Sequence, residues 1–215
     1  VPHLAEQDDR RPLGASAERA RHPAHAPLSI FVITGPSGVG KGTLISALRE
    51  RHPELELTVS ATTREPRPGE EDGVAYYFLS DAEFDRRLAA GEFVEHAEYA
   101  GHRYGTLRGE LERRTRGGHP AVLEIEVQGA RQVRDAVPGA VLVFVAPPSL
   151  EALRSRLAGR ATDSPETIAR RLAVAETELA ARGEFAFVIV NDSLERAVAE
   201  LDELYVREMA ENPAR

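Results

Sequence analysis

Four apolar runs set the frame of this chain. "LSIFVIT" (28–34), "AVLEIEV" (121–127), "AVLVFVA" (140–146) and "FAFVIV" (185–190) have the length of buried strands, and the first is bounded by Pro27 and Gly35. Helical spacing fills the gaps between them. "KGTLISALRE" follows the first run directly. Ser149 is a cap for a helix with Leu150, Leu153 and Leu157 on one face. Ser164-Pro165 opens another, with Ile168, Leu172, Ala175 and Leu179 in one stripe, and Ser193 opens a last one carrying Leu194, Val198, Leu201 and Tyr205. Strand and helix in alternation predict an α/β fold, a parallel sheet flanked by helices on both faces.

Residues 60–116 break this rhythm. A polar, Pro-rich turn, "SATTREPRPGEEDG", leads into short strand candidates around "AYYFL" and "EFVEHAEY", where alternation would put Phe93, Glu95 and Ala97 on one face. Between them Ser80-Asp81-Ala82-Glu83 has the form of a capping box, with Phe84 and Leu88 on the helix it opens. The expected organisation is a disordered tail over 1–27, a core from 28–59 and 117–211, and a small inserted α+β subdomain over 60–116.

Composition narrows the classes. The 215 residues and 42% hydrophobic content suit a domain that buries a proper core. Cysteine is absent, which excludes disulfides, thiolate metal sites and thiol chemistry. Net charge of −8 argues against a general nucleic-acid or anionic-membrane binder. No apolar run approaches the ~20 residues that cross a bilayer, and the N-terminal segment has no signal-peptide pattern. A cytoplasmic protein without nucleic-acid or membrane partners is the expectation, as a monomer or homodimer. The seven histidines do not cluster.

"GPSGVGKGT" (Gly35–Thr43) sits between the first strand and the first helix. Glycines at 35, 38 and 40 let backbone N–H groups converge on a phosphate, the helix start favours an anion, and Lys41 reaches terminal phosphates. The pattern G-x-x-x-x-G-K-[ST] is met except that Gly42 follows the lysine, so Thr43 is expected to supply the hydroxyl for Mg²⁺ one position late. The predicted fold is therefore of the P-loop NTPase type, with Gly35, Pro36, Ser37, Gly38, Val39, Gly40, Lys41, Gly42 and Thr43 around a nucleoside triphosphate.

Other constellations are weaker alone. Arg64 and Arg67 lie three apart in a segment stiffened by Pro66 and Pro68. Two guanidinium forks suit a phosphate dianion, although two nearby arginines are by themselves usually a solvated pair. Glu124 and Glu126 share a face at the end of a predicted core strand, facing the ligand crevice, where a carboxylate can bind Mg²⁺ through its waters. Arg156 and Arg160 share a helix face, and Arg170 and Arg171 follow on the next helix.

Taken in order, "GPSGVGKGT", "SATTREPRPGE", "EFVEHAEYAGHRYGT", "EIEVQGA", "APPS" and "VNDS" resemble guanylate kinases over about 28–208. The resemblance implies transfer of the γ-phosphoryl group of Mg·ATP to GMP, giving ADP and GDP, in purine nucleotide metabolism. The same reading extends to dGMP, since no residue here obviously reads the 2′-hydroxyl. Arg64, Arg67, Tyr76 and Tyr104 are implied to hold the GMP phosphate, and Ser60, Glu95 and Thr106 to read the base. Guanine offers two adjacent N–H donors that a carboxylate accepts together, whereas adenine would set a lone pair against it.

Glu126 stands where the family usually has Asp, which contacts the guanosine nucleotide. Arg156, Arg160 and Arg171 are implied to belong to a helical lid, about 156–171, that closes over the ATP phosphates. Ala161 there replaces the family's usual Gly. Asn191, with Asp192, stands where the family contacts adenine. The rival readings are a non-catalytic guanylate-kinase-like interaction module, disfavoured by the intact lysine and glycines, and a kinase for another small phosphorylated acceptor, disfavoured by Glu95 with Ser60 and Thr106.

Overall fold

A computed structural model describes residues 29–159 and 165–211. The expected tail, Ser164, Arg160 and Ala161 lie outside the described residues. The core elements are β1 (Ile30–Thr34), α1 (Lys41–Arg51), β2 (Glu56–Leu57), β7 (Ala121–Glu124), α4 (Val127–Ala136), β8 (Val141–Ala146), α5 (Leu150–Ala158), α6 (Pro165–Ala180), a 3₁₀ turn (Ala181–Glu184), β9 (Phe187–Val190) and α7 (Leu194–Glu211). The strands form one parallel sheet in the order β2-β7-β1-β8-β9.

The apolar runs are continuous because both sheet faces are covered. Phe31, Ile33, Val143 and Val145 pack with α1, α5 and α7 on one side. Ile30, Val32, Leu123 and Phe144 pack with Val127, Ala130 and Val133 of α4 on the other. The Ser149 cap forms, its hydroxyl accepting from the Ala152 N–H at 3.1 Å. Leu153 and Leu157 are buried beneath it, whereas Leu150 and Leu194, in the first turns of α5 and α7, remain exposed.

Between β2 and β7 the chain builds β3 (Ala61–Thr62), β4 (Tyr77–Phe78), α2 (Asp81–Ala89), β5 (Phe93–Tyr99), β6 (His102–Leu107) and α3 (Arg108–Arg114). Four of these elements form a second sheet, ordered β4-β3-β6-β5, with Phe84 stacked on Phe93 at 4.5 Å in its small core. Gln132 of α4 fixes this sheet to the main body. Its side chain accepts from the His96 N–H at 3.1 Å and donates to the His96 carbonyl at 2.6 Å.

Three local expectations change. A bulge between Phe93 and Glu95 shifts the β5–β6 register, so Phe93 turns to Phe84 while Glu95 and Ala97 face the cleft. The third core strand stops at Glu124, and Glu126 is the N-cap residue of α4. Only half of the capping box forms. The Ser80 hydroxyl accepts from the Glu83 N–H at 3.2 Å, while the Glu83 carboxylate pairs with Arg86 and Arg87.

Candidate active site

The phosphate loop is built from β1 into α1. Gly35 leaves the sheet so close to β8 that a Cβ there would meet the Val145 carbonyl oxygen at 2.2 Å, and Gly40, the N-cap of α1, takes a φ of 102°. The first turn of α1 carries no acidic side chain, so its positive end is left for an anion. Lys41 is buried, and its ammonium group donates to the Gly35 carbonyl at 2.6 Å and the Pro36 carbonyl at 3.4 Å. Glu126 Oε1 stands 4.0 Å from the same nitrogen.

Gly42 faces the carboxylate of Glu124. A Cβ at position 42 would lie 3.3 Å from Glu124 Oε2, and the Gly42 backbone N–H faces that carboxylate. The residue after the lysine is thus in contact with the end of β7. Desolvation by the surrounding cavity walls raises the Glu124 pKa although its side chain stays open to solvent; Lys41 opposes that shift, and Glu126 adds to it. Among the described residues no group of three or more His, Asp or Glu side chains could cage a metal ion. The Thr43 hydroxyl and the Glu124 carboxylate are hard oxygen donors lining the cavity, and they fit a Mg²⁺ held mainly by phosphates and water.

Asn191 and Arg156 lie behind the loop. Asn191 Nδ2 donates to the Val39 carbonyl at 2.8 Å. The Arg156 guanidinium donates to the same carbonyl at 3.1 Å and to the Asn191 carbonyl at 2.7 Å. Both side chains therefore brace the backbone of the glycine loop. Arg171 lies on α6, half-buried, with its charge acting on Tyr99.

One cavity of about 460 Å³ joins the two halves of the site. Ser37, Lys41, Thr43, Glu124 and Glu126 line one side; Ser60, Tyr76, Glu95 and Tyr104 line the other. Glu95 is only 3% exposed and accepts from the Thr106 hydroxyl at 2.7 Å, with Thr106 fully buried behind it. Burial pushes the Glu95 carboxyl up to about 7, against the pull of the Thr106 hydrogen bonds. Space for it comes from Gly129 of α4, where a Cβ would stand 2.3 Å from Glu95 Oε2.

Beside the cavity, Arg64 stands 5.3 Å over the Tyr76 ring, and Tyr76 and Tyr104 meet edge to face at 6.0 Å. Both Glu70 carboxylate oxygens accept from Arg64 at 2.9 Å, and Glu70 Oε2 also accepts from the Arg67 N–H at 2.8 Å. The Arg67 side chain is exposed at the rim.

Sequence reasoning passed over three residues here. Glu70, in the "RPGE" segment, holds Arg64. Tyr99, at the end of β5, lines the cavity and hydrogen-bonds Ser37 of the phosphate loop. Glu178 of α6 is buried against Glu126. Position in "RPGE" was a readable signal for Glu70; nothing local distinguishes the other two.

Known proteins match this arrangement. The family model for guanylate kinases matches residues 28–208. A guanylate kinase of Frankia casuarinae is 57% identical over 180 residues, covering 84% of this chain and 98% of that relative. One from Streptomyces coelicolor is 54% identical over 179 residues, covering 83% and 91% respectively. The crystal structure of guanylate kinase from Anaplasma phagocytophilum is similar with a TM-score of 0.69 at 31% identity, covering 87% of this chain and 88% of that one.

Proposed function

The chain belongs to the guanylate kinase family, and from that premise we infer how its residues divide the work of moving the γ-phosphoryl group of ATP to GMP. The activity is ATP:GMP phosphotransfer, a nucleoside monophosphate kinase reaction with ATP as co-substrate and Mg²⁺ as cofactor. The observation that carries the division of roles is the single cavity with the phosphate loop on one wall and the buried Glu95–Thr106 pair on the other.

On the donor side, the backbone of Gly35–Thr43 cradles the ATP phosphates, and Lys41 leaves the Gly35 carbonyl to meet them. Arg156 and Asn191 keep Val39 in place beneath the loop. Thr43 and Glu124 would stand beside a Mg²⁺ bound with ATP, which would supply neutralisation of phosphate charge there. On the acceptor side, Arg64, Arg67, Tyr76 and Tyr104 hold the GMP phosphate. Glu95 accepts the two N–H donors of guanine, with Ser60 and Thr106 reading the base beside it and Glu126 contacting the guanosine nucleotide from the phosphate-loop side.

The acceptor phosphate is already an anion, so no general base is needed. Positioning and charge neutralisation lower the barrier, with Lys41, Arg160 and Arg171 spreading the transition-state charge while Arg156 supports the loop from behind. Closure of the segment 60–116 and of a lid at about 156–171 over the core of 28–59 and 117–211 excludes water as a competing acceptor. Among the described residues no helix is long and apolar enough to cross a membrane. The reading is completed by a cytoplasmic monomer or homodimer acting on small molecules, without nucleic-acid or membrane partners.

The test is ADP release from ATP with GMP, dGMP, AMP, UMP and CMP as acceptors. GMP and dGMP are expected to support turnover; no turnover with GMP above the ATP-only background would overturn the reading.

A further inference from the structure

One buried carboxylate that this mechanism does not use ties the segment 60–116 to the main body. Glu110 lies on α3 and is only 4% exposed. Its Oε1 accepts from the Val59 N–H at 2.9 Å and from Arg114 Nε at 2.8 Å. Its Oε2 accepts from the Tyr77 hydroxyl at 3.0 Å and from the Arg113 guanidinium. Arg114 in turn donates to Glu56 of β2 at 2.8 Å, so the cluster is anchored on the main sheet.

The two residues held by Glu110 besides its own helix are each the chain neighbour of a residue assigned to GMP. Val59 precedes Ser60, where the chain crosses from β2 to β3. Tyr77 follows Tyr76, and successive side chains along a strand point to opposite faces. Tyr76 lines the cavity, whereas Tyr77 packs against the Phe84 and Phe93 cluster. The Tyr77 N–H also donates to the Ser60 carbonyl at 2.9 Å, so the two tethered stretches are joined to each other. A buried charge is costly unless it is well hydrogen-bonded, and both oxygens of Glu110 meet that condition. An apolar residue of the same size would strand the buried Val59 N–H and leave the Tyr77 hydroxyl without its acceptor.

We propose that Glu110 is a positioning residue for the acceptor: from outside the cavity its two carboxylate oxygens fix the stretches that carry Ser60 and Tyr76, and so set the base reader and the phosphate ligand at the spacing GMP requires. The inference rests on the acceptor-side roles given above to Ser60 and Tyr76.

The test is a double-mutant cycle on steady-state constants, with a thermal melt of each variant. Tyr77→Phe deletes the hydroxyl tether; Glu110→Met keeps the volume and deletes both tethers. One hydrogen bond corresponds to roughly two- to tenfold, so Y77F is expected to raise KM for GMP about fivefold and E110M about tenfold or more, while kcat and KM for ATP stay within about twofold. E110Q, which keeps an accepting oxygen, is expected to fall between wild type and E110M. In the E110M background, Y77F should have no further effect on KM for GMP.

A lower melting temperature with both KM values unchanged would make Glu110 a structural residue only and overturn the proposal, as would additive effects or equal changes in the constants for both substrates. Ser60→Ala and Tyr76→Phe variants with unchanged KM for GMP would instead remove the premise, and the proposal with it. If E110M does not fold, Y77F decides the matter. A selective rise in KM for GMP supports the proposal; an unchanged KM overturns it.

Discussion

The carboxylate of Glu124 lies against the α-carbon of Gly42, so close that a β-carbon there would stand 3.3 Å from Oε2. The end of β7 and the start of α1 are thereby in close contact, and a side chain at position 42 requires the carboxylate to give way slightly. Restoring the usual lysine-then-hydroxyl pattern with Gly42→Ser should push Glu124 outward by a few tenths of an ångström. Because the cavity leaves the carboxylate room to move, kcat is expected to fall by about two- to fivefold, with KM for GMP unchanged. Stopped-time ADP assays with a parallel thermal melt check this.

Lys41 donates to the Gly35 carbonyl, so it is a strut of the loop as well as the phosphate ligand proposed above. Lys41→Ala is therefore expected to reduce kcat by roughly 10²-fold or more, the scale on which preorganised charge acts on a transition state. GMP binding, followed by calorimetry, should remain largely intact. Equal loss of both would contradict two separate half-sites.

Gly129 is set by the space that the Glu95 carboxylate takes rather than by helix propensity. Alanine in a helix interior is ordinarily favourable by about 1 kcal/mol over glycine. Here its Cβ would stand 2.3 Å from Glu95 Oε2. Gly129→Ala is expected to raise KM for GMP at least about tenfold, with KM for ATP unchanged. In a Glu95→Ala background the same change should stabilise the protein, because the clash is gone and only the helix preference remains.

Much of the site was legible in the chain, for identifiable reasons. The phosphate loop could be read because strand, glycines, lysine and helix must follow one another directly. Glu95 and Thr106 could be named only by resemblance, and they prove to be a hydrogen-bonded pair. The strand "HRYGTL" was missed because it has no apolar alternation. Gly105 must be small, since a Cβ there would meet the Phe93 ring at 2.8 Å. Helix α3 was missed because its buried centre is Glu110, satisfied by Arg113, Arg114, Tyr77 and the Val59 N–H instead of by apolar neighbours. Glu178 looks like Glu176 in the sequence; only tertiary burial separates them.

The raised pKa of Glu95 makes the ligand-free protein sensitive to alkali. In the unfolded chain the group titrates at 4.5, and in the folded protein at about 7. The folded state therefore holds more protons between these values. The contribution to stability is fully present below pH 4.5 and is lost as pH rises through 7, an effect on the order of 1–3 kcal/mol. Glu178, raised to about 8, acts in the same direction. Thermal melts of the wild type from pH 5 to 8.5 should show a decline that Glu95→Gln reduces, and the variant should be the more stable protein at the upper end.

The central claim is that Glu95 selects guanine as the acceptor base, and it is tested most directly by the ratio of kcat/KM for GMP to that for AMP. A site built to hydrogen-bond a substrate group can reject an analogue lacking it by about 10⁴-fold or more. Replacing Glu95 with Gln leaves the cavity's shape but turns one accepting oxygen into a donor. The ratio is expected to collapse by roughly two orders of magnitude or more, mainly through loss of GMP. A Glu95→Gln enzyme that kept the wild-type preference for GMP over AMP would contradict it.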